Sequence, residues 1–427
     1  MYHWAAPGFE ARINMLPRGH RYARASVAIN ANSLGAGNQP ERHRRAALSR
    51  GPSRILVRAL VLLLITAGLY GLVRLKRDEL VDFAVPYRAA VRFLAHEPLY
   101  RESDGHYQYK YLPTFAAIMV PFTLVPKRVA EVAWFTLTVM MAWGLVRLSV
   151  AALPDRRLSV RVLFWLVLLL NGKFLVKELA FGQFNLPVAL LLLGAVIAAR
   201  HNRGLVAGAA IAAAVFVKPY ALVLLPWLAW TVGVRSLCVF GVVAAAGLLL
   251  PAASYGWNGN LTLLYEWYRT VADTTAPNLL GSDNISFASM WAKWLGPGPV
   301  AYGLALGSTV LAVAAGLAVM ARRARVAEPN YLEGAYFMFL VPLLSPQGWD
   351  YVLLIGLPAY VCLVDRWNEL SPRWHAMAAA GIFFTSFTIF DLLRRPLYMH
   401  LMQWSAVSVG AVLIAATLIR LRWRAIA

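Results

Sequence analysis

Apolar stretches near bilayer length, separated by short polar breaks, run from Ile55 almost to the C-terminus. The first, Ile55 to Leu75, is long enough to cross a bilayer, which takes about 20 predominantly apolar residues in a helix. Further runs at 129–150, 161–178, 185–199, 204–217, 220–232, 236–253, 299–320, 331–345, 350–364, 375–393 and 399–421 bring the expected spanning helices to about twelve. The run LPTFAAIMVPFTLVP, 112–126, is shorter and interrupted by prolines. It is expected to dip into the bilayer without crossing, its backbone covered by protein.

Charge fixes the orientation. If 112–126 does not cross, the loops PDRR (154–157), RHNR (200–203) and ARRAR (321–325) all face the cytoplasm, as the positive-inside rule requires. Both termini are then cytoplasmic, and the long segments 76–128 and 254–298 lie outside. SDNISFASMWAKW, 282–294, has the spacing of a short amphipathic surface helix. The fold class expected is therefore all-α, a polytopic membrane bundle whose large first outer loop holds short amphipathic helices.

Composition agrees. Of 427 residues, 60% are hydrophobic and 14% charged, against about 25% charged in soluble domains. That deficit excludes an ordinary soluble globule. A net charge of +21 would suggest nucleic acid in a soluble protein, but here the arginines fall in loops, so no nucleic-acid partner is expected. Residues 1–50, rich in Arg, Gly, Ala, Asn and Pro, read as a disordered basic cytoplasmic tail, separate from the membrane domain 51–427. Cys238 and Cys362 lie inside apolar runs at no disulfide or metal-ligand spacing. The chain lacks a P-loop, a Gly-x-Gly-x-x-Gly, a His-Glu-x-x-His and an Asp-x-Asp pair. No cofactor or metal is demanded.

A few polar residues stand where polarity is costly. Asp82 follows the first span among Phe83, Val85 and Pro86. Desolvation there raises a carboxyl pKa unless a cation such as Arg88 offsets it, a setting that suits a general base. Asp78 and Glu79 are rival bases. KELAFGQFNLP, 177–187, places Gln183 and Asn185 around a turn at Gly182, offering amides to sugar hydroxyls. FVKPY, 216–220, puts Lys218 inside an apolar stretch broken by Pro219. A buried ammonium calls for an anion, and a lipid phosphate is the expected one. SPQGWDYV, 345–352, presents Trp349 and Asp350 in another turn, and Tyr107, Tyr109 and Tyr111 alternate ahead of Pro113.

In order along the chain come Asp82, an amphipathic stretch ending Leu99-Tyr100, the Tyr109-x-Tyr111-x-Pro113 segment with PFTLVP, then GQFN, VKP and SPQGWD. This order resembles glycosyltransferase family 87, membrane enzymes of the GT-C fold. The likeness runs from about Leu80 to Asp350. It implies a polyprenyl-phosphate sugar, as in the mannosyltransferases, used on the extracytoplasmic face of the plasma membrane. A lipid or glycan is the acceptor it implies. The same resemblance implies that Asp82 is the base, matched by Asp82-Phe83 and Tyr87, and that the GQFN turn, Lys218 and the SPQGWD turn border the active site. Arg88 or Lys177 would join Lys218 against the departing phosphate. Family members often carry a histidine near the last turn; here Gln347, Gly348 and Tyr351 stand there. The alternative class is a secondary transporter or flippase of a lipid-linked or small polar substrate, although neither half of the chain resembles the other.

Overall fold

The computed structural model describes the backbone of residues 51–424 and the side chains of residues 63–424; the expected tail, 1–50, lies outside the described residues. Regular structure there is helical throughout, and the only extended pairing is an isolated bridge between Asn284 and Trp349. Helix α1 (Gly51–Lys76) is followed by α2 (Val81–Leu94), α3 (Pro113–Met119) and α4 (Lys127–Ala152). Next come α5 (Val160–Leu170), α6 (Gly172–Phe181), α7 (Asn185–Arg200), α8 (Gly204–Val217) and α9 (Leu225–Val232). The chain continues through α10 (Val234–Leu249), α11 (Ala252–Asn278), α12 (Phe287–Leu295), α13 (Pro299–Met320) and α14 (Asn330–Leu344). It closes with α15 (Leu357–Asp365), α16 (Pro372–Ser386), α17 (Phe390–Gln403) and α18 (Ala406–Arg424).

Three of these, α4, α13 and α18, are long and apolar enough to cross a membrane. The bent pairs α10–α11 (93°) and α16–α17 (101°) raise the number to five if each is one span. Large apolar side chains on the outside mark this as a membrane protein. Leu137, Met140 and Trp143 of α4 and Val300, Leu306, Val310 and Leu311 of α13 are exposed, a pattern a soluble domain rarely tolerates in contiguous patches. At the centre lies α14, buried at every position from Glu333 to Leu343. A helix apolar all round belongs in such an interior. Arg422 of α18 donates to Glu333 of α14 at 2.6 Å and holds the two helices together.

Several expected boundaries move. The run 161–178 is not one helix: the chain turns at Asn171 between α5 and α6, where Asn-Gly is a turn dipeptide. The run 220–232 starts as a 3-10 segment, Pro219–Leu224, because Pro219 has no N–H to continue α8. Likewise 350–364 opens as a 3-10 segment, Asp350–Gly356, before α15. The expected spans 375–393 and 399–421 divide differently, into α16, α17 and α18, with breaks at Phe387–Ile389 and at Trp404–Ser405. The segment 254–298 is no plain loop, since α11 fills its first half, burying Asn260, Leu263 and Thr270 along one face. The amphipathic helix expected over 282–294 starts later, at Phe287, because the Ser286 hydroxyl caps it by accepting from Ser289 N at 3.1 Å. Segment 112–126 forms α3 and a 3-10 piece, Val120–Leu124, together too short to span.

Candidate functional site

The site starts from two chain ends brought together by a glycine. α6 ends at Gly182, which is left-handed (φ 72°). A Cβ there would lie 2.9 Å from Leu80 Cβ and 3.0 Å from Phe83 Cβ. Only a residue without a side chain lets this turn press against the first turn of α2, where Asp82 sits. Trp134 of α4 fixes the turn by donating from Nε1 to the Gly182 carbonyl at 3.1 Å.

Gln183, the next residue, therefore reaches Asp82. Its Nε2 donates to Asp82 Oδ2 at 2.5 Å, and it lies 3.1 Å from the Tyr351 hydroxyl. The amide oxygen accepts from Lys218 Nζ at 3.3 Å. Lys218 Nζ also donates to Asn185 Oδ1 at 2.9 Å, and the Tyr220 hydroxyl donates to the same oxygen at 2.8 Å. Asn185 is held from behind by Glu178, fully buried, which accepts from Asn185 N at 2.6 Å and from Asn185 Nδ2 at 2.8 Å. With its amide nitrogen given to Glu178, Asn185 must turn its oxygen toward the lysine. One continuous hydrogen-bonded chain thus runs Glu178–Asn185–Lys218–Gln183–Asp82.

This chain floors a cavity of about 520 Å³, within the size range of small-ligand sites. Asp82, Gln183 and Lys218 open into it. So do Tyr111 and Lys110 from the first long loop, His106 from the 3-10 segment Glu102–Tyr107, and Gln347, Trp349 and Tyr351 from the turn after α14. Apolar wall comes from Leu222 and Val223 after the Pro219 break and from Val271 of α11. Burial pushes the Asp82 carboxyl above its ordinary range, and the Lys218 ammonium with the Gln183 amide draws it part of the way back. The second oxygen, Oδ1, accepts no hydrogen bond among the described residues.

Of the residues singled out in the sequence, Asp82, Tyr107, Tyr111, Gln183, Lys218, Gln347, Trp349 and Tyr351 line the cavity. Asn185 stands one bond behind, positioning Lys218. The others are elsewhere. Arg88 turns to the Tyr107 carbonyl at 3.5 Å, and Tyr87 to the Val125 carbonyl at 3.4 Å. Tyr109 is buried between Tyr100 and Tyr111, its hydroxyl on the Leu112 carbonyl at 2.9 Å. Asp350 is buried and consumed by lysines: Lys177 donates to it at 2.7 Å, and Lys173 lies at 3.6 Å. These five do not face the cavity because each has a nearer partner. Neither rival base, Asp78 or Glu79, lines the cavity, and Glu79 pairs with Lys127. Sequence reading passed over Glu178, Tyr220, Lys110 and His106. Only Glu178 carried a visible signal, a carboxylate five residues before a Gln-x-Asn turn.

The model of glycosyltransferase family 87 matches residues 109–346. The chain belongs to glycosyltransferase family 87. No curated protein matches the chain. Family 87 membership makes it a glycosyltransferase, and its apolar helices fit a membrane setting. The matched stretch holds Tyr111, Gln183 and Lys218, while Asp82 precedes it and Trp349 follows it.

Proposed function

We propose that the protein is an inverting hexosyltransferase that takes a sugar, mannose by family analogy, from a polyprenyl phosphate to an acceptor hydroxyl. The observation that carries this reading is the placement of Asp82 on the cavity wall, one oxygen held by Gln183 and the other free. In this reading Asp82 Oδ1 accepts the proton of the acceptor hydroxyl as that oxygen forms its bond to the anomeric carbon. The bond from the anomeric carbon to the phosphate oxygen breaks on the opposite face, and the electron pair leaves with the phosphate. The phosphate departs as an anion without needing a proton, so a single carboxylate suffices, unlike the pair of a glycoside hydrolase.

Lys218 acts in two ways here. Two of its N–H groups hold Gln183 and Asn185, which fixes the amide that orients Asp82. Its charge also favours an anion in the cavity. Leu222, Val223 and Val271 offer an apolar wall to the first isoprene units. The proposal includes a GT-C-like bundle of about twelve membrane helices, counting the short apolar helices other than α3 as crossings. Both termini are then cytoplasmic and the cavity opens on the extracytoplasmic side of the plasma membrane, as the arginine-rich loops require.

The test is transfer of label from polyprenyl-phosphate mannose in membranes containing the wild-type protein or Asp82→Asn. Transfer is expected from the first and not from the second. Undiminished transfer by Asp82→Asn removes the base assignment, and absence of any transfer from this and other polyprenyl-phosphate hexoses removes the donor class.

A further inference from the structure

Lys218 is not the freest cation of the cavity. An ammonium has three N–H groups, and two of those on Lys218 already point at amide oxygens. Lys110 lines the same cavity. Its ammonium makes no hydrogen bond or ion pair among the described residues, although burial removes much of its water and Asp82 is the one charge that draws on it. Burial lowers its pKa, as expected of a desolvated ammonium lacking a close counter-ion.

The backbone around Lys110 is held firmly. Trp267 of α11 donates to the Lys110 carbonyl at 3.1 Å. The Tyr100 hydroxyl donates to the Tyr111 carbonyl at 2.7 Å, and buried Tyr109 anchors the residue before. A lysine on so fixed a segment, half-buried and with all its donors open, is arranged for an anion that arrives from outside the protein.

We propose that Lys110 is the principal contact of the leaving phosphate, with Lys218 contributing its one remaining N–H. This rests on the glycosyltransferase reading above. In that reaction the donor phosphate is a diester with one negative charge; when the sugar leaves, it becomes a monoester that carries a second. A cation placed at that phosphate binds the product more strongly than the donor and so favours the transition state over the ground state. The ligand chemistry is a dianionic phosphate group. It has two conceivable sources, an isoprenoid lipid and free phosphate, and the apolar cavity wall beside it selects the lipid.

The experiment measures binding rather than turnover. The full chain in nanodiscs is titrated with undecaprenyl phosphate, undecaprenol and inorganic phosphate, following the shift in Tm. Wild type is expected to bind the lipid phosphate at least about tenfold more tightly than the alcohol. Lys110→Ala is expected to lose about tenfold in affinity for the lipid phosphate, with undecaprenol binding unchanged. Lys110→Arg keeps most of the affinity, and Lys218→Met loses less than Lys110→Ala. Should the truncation lower the ligand-free Tm, Lys110→Gln, which keeps the stem and drops the charge, gives the same comparison. Wild-type preference for the phosphate lipid with Lys110→Ala and Lys110→Gln titrating like wild type overturns the Lys110 assignment and leaves the reaction standing. No wild-type preference for phosphate over alcohol overturns the reaction's donor and this proposal together. Inorganic phosphate binding as tightly as the lipid overturns the lipid source.

Discussion

Asp82 and Asp350 are two carboxylates at one end of the same bundle, each drawn from a short motif, and their surroundings set them apart. Asp350 is 1% exposed, with Lys177 at 2.7 Å and Lys173 at 3.6 Å. Both its oxygens are engaged, and it ties the Trp349 turn to α6. Asp82 takes one neutral amide and keeps the other oxygen toward an open cavity. A carboxylate saturated by cations fastens structure; one with a spare lone pair, partly desolvated, can take a proton. Motif membership alone does not separate the two. The inventory of partners does.

The sharpest way to break this contrast is the pair Asp82→Asn and Asp350→Asn. Asp82→Asn is expected to lower the transfer rate by about 10²–10⁴-fold, the usual contribution of a general base. Asp350→Asn, compared per folded molecule, is expected to retain most of it. A comparable loss from both would show that the two carboxylates do one job.

Stability should divide them the other way. Asp350→Asn leaves the buried ammonium of Lys173 without its anion and Lys177 with only Asp283, at 3.7 Å, a loss of about 3–5 kcal/mol, read as a fall in Tm in detergent. Asp82→Asn is expected to hold or raise Tm. The sign follows from burial. The folded carboxyl of Asp82 sits above its unfolded value, so keeping it ionised costs stability above the shifted pKa. That cost fades as the pH falls through the shifted value, and the amide never incurs it. A Tm loss in Asp82→Asn as large as that in Asp350→Asn would contradict the distinction.

The smallest effect expected is in the pH profile. The base must be ionised, so the acid limb of kcat/KM should lie above the ordinary carboxylate value of 3.8. The charges of Lys218, Arg77 and His106 oppose the rise. A limb at or below the ordinary value would mean that the carboxyl is solvated when it works.

Much of this site was legible from one-dimensional signals. Asp82 at the lip of the first span, the amides around Gly182 and the lysine before Pro219 are each anomalous in an apolar chain, and they converge. Arg88, Lys177, Tyr109 and Asp350 looked equally anomalous but found partners close at hand, which depends on three-dimensional packing. Lys110 was passed over for the opposite reason: between two tyrosines it resembles an interface belt, and its freedom appears only when the loop is folded over the cavity. Among the helices, the turn at Asn171-Gly172 carried a local signal. The break at Trp404–Ser405, where Ser405 has φ 57°, has no glycine or proline to announce it and is imposed by packing. The helix α11 was hidden because its polar residues suggest a loop, while Leu263 and Thr270, seven apart on one helical face, show its buried side.

The most direct measurement is a cryo-EM structure of Asp82→Asn in nanodiscs with polyprenyl-phosphate mannose bound. The sugar is expected in the cavity, its anomeric carbon facing residue 82 and the phosphate turned toward Lys110 and Lys218. A sugar bound outside this cavity, or a phosphate on the same side of the anomeric carbon as residue 82, would contradict it.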